Sequence, residues 1–149
     1  MAHDDLVEAG RALATGARAL ERVLGDMTLA QFRVLSVVAS SPERASRIAE
    51  RADMSRPSLS GLLDGLASRG WVARRVVAGD RRGVRLEVTP AGHTALRRAQ
   101  AAVSEAMAAI LADVPFDERD RVRRALVVLA RAFDERATSS RAVQEAPTS

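Results

Sequence analysis

The chain has no cysteine, no lysine and no tyrosine, and its one Trp and three Phe make up only 3% of 149 residues. Without cysteine there is no disulfide, no thiolate zinc site and no thiol redox switch. The only imidazoles are His3 and His93, so neither a metal site nor a cofactor is expected. No apolar run approaches the roughly 20 residues of a membrane span. The first residues, with Asp4, Asp5 and Glu8, do not resemble a secretory signal, so the expected location is the cytoplasm, with no membrane partner. Catalytic signatures are missing too: there is no Ser with His and Asp in a known motif, no phosphate-cradling glycine loop and no close pair of histidines. The expectation is a protein that is not an enzyme, with no catalytic residues.

With aromatics scarce, Leu, Val and Ala must fill the core within a hydrophobic fraction of 47%, a composition that leans helical. The length suits a single folding unit. All 23 basic residues are Arg. A GC-rich coding sequence produces the same bias, so the distribution of charge is more informative than its amount. Six Arg and one Asp lie between Arg69 and Arg85, a local +5 in a chain whose net charge is +4. Positive charge concentrated in one segment is the footprint of contact with a polyanion.

Periodicity orders the elements. Leu6, Leu13, Ala17, Leu20 and Leu24 recur at helical spacing and predict a first helix over about residues 5–24, stopped near Gly25. Thr28 suits the cap of a second helix that ends before Ser41-Pro42. A short third helix fits residues 45–52, and a fourth runs over about residues 56–68, with Ser55 as N-cap and Pro57 in its first turn. Leu59, Leu62, Leu63 and Leu66 put the apolar groups of that helix on one face. The opposite face carries Arg56, Ser58, Ser60, Gly61, Asp64 and Gly65.

From Val72 the period changes to two and predicts a β-hairpin through Thr89, with Asp80, Arg81 and Arg82 at its tip and Arg74 and Arg75 on its first strand. Thr89-Pro90 opens a helix of about 24 residues. A last helix follows Pro115-Phe116, with Asp117 as its expected cap, and is apolar over much of its circumference. A short helix, a three-residue turn and a second helix with small polar groups facing outward suit insertion of that second helix into the DNA major groove. The arginine hairpin then reaches beside it, because a guanidinium binds phosphate bidentately and enters a narrow minor groove.

These segments resemble the MarR (multiple antibiotic resistance regulator) family of winged helix-turn-helix regulators. The likeness rests on Thr28-Leu29-Ala30-Gln31-Phe32-Arg33-Val34-Leu35, Arg47-Ile48-Ala49-Glu50-Arg51, Pro57-Ser58-Leu59-Ser60-Gly61-Leu62-Leu63, Gly70-Trp71-Val72-Ala73-Arg74, Asp80-Arg81-Arg82 and Val88-Thr89-Pro90-Ala91-Gly92. It implies a mainly α fold with a small β-hairpin: a winged helix-turn-helix DNA-binding domain over residues 28–91, and N- and C-terminal dimerisation helices over residues 5–27 and 92–138. A polar, disordered tail is expected from residue 139.

By the same resemblance, double-stranded DNA meets Arg56, Pro57, Ser58, Ser60, Gly61, Asp64, Arg74, Arg75, Asp80, Arg81 and Arg82. Arg81 or Arg82 enters the minor groove and Asp80 pairs with a wing arginine. The protein is expected to act as a homodimer, more often a repressor in this family, on a pseudo-palindromic operator. A small aromatic or phenolic effector is expected in a cleft bordered by elements that carry Arg18, Met27, Phe32 and His93. Two rival readings remain open: a non-specific architectural DNA binder, suggested by the glycines of the fourth helix, and a basic module that docks on an acidic protein.

Overall fold

A computed structural model of the chain describes residues 3–40, 45–52, 54–76 and 84–144. In chain order it has helix α1 (His3–Val23), α2 (Leu29–Ser40), α3 (Ala45–Ala52) and α4 (Arg56–Ser68), strands β1 (Val72–Val76) and β2 (Val84–Val88), then α5 (Pro90–Ala112) and α6 (Arg119–Gln144). This is a winged helix-turn-helix between terminal helices, as the sequence leads one to expect.

Local chemistry fixes the boundaries. Thr28 and Gln31 form a reciprocal capping box at the start of α2: Gln31 N donates to Thr28 Oγ1 at 3.1 Å and Thr28 N to Gln31 Oε1 at 3.0 Å. Helix α4 opens on Ser55, whose hydroxyl accepts from Ser58 N, with Pro57 in the first turn where no backbone donor is needed. It ends in a Schellman motif. Gly70 takes a left-handed φ of 68°, and the N–H groups of Gly70 and Trp71 donate to the carbonyls of Ala67 and Leu66, each at 2.9 Å.

The strands pair antiparallel, with Val72 opposite Val88, Arg74 opposite Leu86 and Arg75 opposite Arg85. Side-chain alternation therefore sends Val72, Arg74, Leu86 and Val88 to one face, and Ala73, Arg75, Arg85 and Glu87 to the other. Val72 and Leu86 are buried, which identifies the first face as the inner one.

One core joins these elements. Val34, Leu35 and Val38 of α2, Ile48 of α3 and Leu59, Leu63 and Leu66 of α4 pack with Val72, Leu86 and the α5 residues Leu96 and Ala99. The Arg33 guanidinium donates to Ala52 O at 2.8 Å, tying α2 to the end of α3. At the base of the hairpin the Thr89 hydroxyl donates to Gly70 O at 2.5 Å and accepts from Gly92 N at 3.0 Å. There α5 comes so close to the turn that a Cβ on Gly92 would overlap the Trp71 carbonyl oxygen and lie 2.8 Å from Val88 Cγ1. Glycine is required there for space.

Two expectations at the C-terminal end need correction. Asp117 does not cap the last helix; a turn over residues 116–118 comes first, and α6 begins at Arg119. Arg119 satisfies the free carbonyls at the end of α5 and beyond, donating to Ala112 O at 2.8 Å and Val114 O at 2.9 Å. The chain is also helical past residue 138, through Gln144. Ala137, Arg141 and Ala142 are good helix formers, and no Gly or Pro interrupts the segment before Pro147. Among the described residues, no helix is long and apolar enough to cross a membrane.

Candidate nucleic-acid interface

Helix α4 turns its apolar row, Leu59, Leu63 and Leu66, into the core, which leaves Arg56, Pro57, Ser58, Ser60, Gly61 and Asp64 exposed. Ser58 is already engaged in the cap, its hydroxyl accepting from Ser55 Oγ at 2.8 Å. Gly61 has no heavy atom within 4 Å of where a Cβ would stand, whereas at Gly65 such a Cβ would meet Gln31 Nε2 at 3.5 Å. The open stretch of the helix is therefore around Gly61.

The ribbon adds cations from both faces. Arg75 projects from the outer face and pairs with Glu87 at 3.0 Å. Arg74 leaves the inner face beside α4 and pairs with Asp64 at 3.4 Å. Arg56, Ser60 and Arg74 line one depression, together with Ser46 at the start of α3. At the far end of α4, Arg69 donates to Asp26 Oδ2 at 2.9 Å and lies 4.8 Å from the centre of the Trp71 ring.

Three arginines of the basic segment thus each meet a carboxylate from outside it. Sequence reasoning missed Asp26 and Glu87 as partners. Alternation along β2 places Glu87 on the face of Arg75, but nothing local connects Asp26 with Arg69, 43 residues away. All three pairs have exposed members, so each contributes little to stability, and a phosphate could displace any of the carboxylates. Asp80, Arg81 and Arg82 lie outside the described residues.

A second cavity, of about 700 Å³, lies between the α1–α2 turn, Trp71 and the first half of α5. Leu24, Met27, Trp71, Ala95 and Ala99 give it an apolar wall, and Arg98 supplies a cation. Of the four residues expected to border an effector cleft, Met27 is in this lining. The other three are not: Arg18 and His93 are exposed on α1 and α5, and Phe32 packs against the core. Arg98 rather than Arg18 provides the guanidinium. Helical periodicity alone does not tell which side of α5 meets the α1–α2 turn.

Comparison with known proteins agrees with this architecture. The MarR family model matches residues 25–83. The HTH-type transcriptional repressor YetL of Bacillus subtilis is 26% identical over 93 residues, which span 60% of this chain and 56% of that repressor. The chain thus aligns with little more than half the length of this curated relative. A Mycobacterium tuberculosis MarR family protein in complex with salicylic acid has 24% identity and a TM-score of 0.69, covering 87% of this chain and 96% of that one. Apo wild-type MarR from Escherichia coli has 22% identity and a TM-score of 0.72, covering 87% and 97%. These solved structures share the fold. Residues 25–83 thus match the MarR family's model, and the winged helix with its terminal helices has the fold of that family's solved members.

Proposed function

We propose that the protein is a sequence-specific DNA-binding repressor that acts as a homodimer on a pseudo-palindromic operator and releases it when a small aromatic anion binds. The observation that carries this reading is α4 itself: its leucine row is buried, and its polar row from Arg56 to Asp64 is exposed beside an arginine-bearing ribbon. That geometry suits a helix laid in the major groove with the wing against the neighbouring backbone.

Two further features support the assembly and its control. Leu6, Val7 and Leu13 of α1 and Leu126, Val127, Val128 and Phe133 of α6 are exposed. Apolar faces of this extent call for a partner surface, and a second copy supplies a self-complementary one. The cavity beside Trp71 combines an apolar wall with Arg98, which suits a carboxylate on an aromatic ring. Arg69, which stacks on Trp71 and holds Asp26, links that wall to the end of the recognition helix. A ligand that favours one arrangement of this link shifts the population able to bind both half-sites.

The test is fluorescence anisotropy on a duplex from the promoter of the chain's own gene, against a scrambled duplex, across a salt series. Preference for the promoter duplex is expected, and salicylate should weaken it. Arg81→Ala combined with Arg82→Ala should flatten the dependence of log K on log salt by about one to two units. Equal binding to both duplexes would instead favour an architectural binder, the reading that the open stretch at Gly61 suits.

A further inference from the structure

Asp64 is the only acidic residue of α4. It stands in one row with Arg56 and Ser60, and its side chain is 68% exposed. A carboxylate on a surface that meets DNA is unfavourable by default, because it opposes the phosphates of every duplex, whatever the sequence. The question is therefore what its charge acts on.

Two partners are within its reach. One is Arg74, 3.4 Å away, which leaves the inner face of the ribbon and is itself 64% exposed. While paired, this guanidinium is turned toward α4 and partly neutralised, so it is a weaker partner for phosphate. The other is the floor of the major groove. An ionised carboxylate accepts hydrogen bonds and donates none. In the major groove only cytosine N4 and adenine N6 donate, whereas guanine O6 and N7 and thymine O4 accept. Asp64 therefore matches an amino group and is repelled by the other base edges. Gly61, one turn away, has no side chain to offset that repulsion.

Resting on the DNA-binding reading above, we propose that Asp64 is a specificity-determining residue. On the right half-site it accepts from the amino group of a cytosine or adenine. On any other sequence its charge opposes the duplex and keeps Arg74 drawn toward the recognition helix. It makes discrimination depend on weakened binding to wrong sequences as well as on gain at the right one.

The experiment uses the full chain. The wild type first enriches duplexes from a random-sequence library, and anisotropy then compares an enriched duplex with a scrambled one for wild type, Asp64→Asn and Arg74→Ala. Asp64→Asn is close in size at an exposed position, so an unchanged melting curve is expected. It should bind the scrambled duplex about three- to tenfold more tightly, and the ratio of enriched to scrambled affinity should fall by about the same factor, as expected when repulsion from wrong sequences is removed. Its salt slope on scrambled DNA should steepen by about one unit as Arg74 is released to a phosphate. A second enrichment with Asp64→Ala, which has no acceptor at that place, should lose a preference for cytosine or adenine at one position of each half-site. Arg74→Ala should weaken the enriched duplex and flatten its salt slope by about one unit, and leave the slope on scrambled DNA unchanged, because there Asp64 holds the guanidinium. An unchanged ratio in Asp64→Asn, or a second enrichment that returns the same bases, overturns the proposal. Failure of the wild type to enrich any sequence overturns the DNA-binding reading itself and needs no variant to detect.

Discussion

The winged domain and the terminal helices bury their apolar residues in opposite ways. From α2 through the first half of α5, each element contributes to one core, and Val34, Leu35, Ile48 and Leu66 have no exposed surface. Helix α1 has no buried residue. Among the described residues, every exposed large hydrophobic lies in α1, at the end of α5, in the turn after it or in α6, with Phe116 reaching 86% exposure. One region buries its apolar residues within a single chain, and the other leaves large apolar side chains exposed. The lesson is a division of labour: the polar row of α4 and the arginine ribbon are built on a self-sufficient scaffold, while the terminal helices keep their apolar faces at the surface.

Predictions follow from that contrast. The largest effect belongs to the core. Leu35→Ala should lower the unfolding free energy by about 3 kcal/mol in a denaturant titration, through lost burial and the cavity left behind. A loss below about 1 kcal/mol would show that the winged domain is not the packed half. Val128→Glu combined with Phe133→Glu should weaken self-association about a hundredfold, or ~2.7 kcal/mol, measured by sedimentation equilibrium. An unchanged mass would break the comparison, because it would leave the apolar faces unexplained.

Smaller changes probe how the two regions are joined. Gly92→Ala should cost about 2 kcal/mol, since the new methyl meets backbone at Trp71 that cannot move aside cheaply. A thermal melt at fixed protein concentration is the appropriate measurement, and a neutral result would mean that the start of α5 is looser than its contacts indicate. Ser55→Ala should cost about 1 kcal/mol through loss of the α4 cap. Its effect on self-association should be nil, because α4 belongs to the packed half.

Much of this was legible in the sequence. Ser55 before Arg56-Pro57, Gly70 after the leucine row and Thr89 before Pro90 mark helix ends by groups that act within a few residues. Thr28 was readable as the cap of α2, while its reciprocal partner Gln31 emerged only with the structure. The exposed row of α4 follows from the 3.6-residue period once the leucines are assigned to the core. The wing was legible as a pair of alternating strands, but Arg74 and Arg75 were read together as DNA contacts. The structure separates them, because neighbouring residues of a strand point to opposite faces.

By itself, the sequence determined the order of elements, the apolar face of each helix and the placement of positive charge in one segment, because caps, turns and periodicity are local properties of the backbone. Only the tertiary structure decided which carboxylate answers which arginine: Asp26 with Arg69, Asp64 with Arg74 and Glu87 with Arg75. It alone brought Arg98 and Trp71 to one cavity and made Gly92 indispensable. These relations depend on how helices cross and how strands register, and packing across the whole core fixes both.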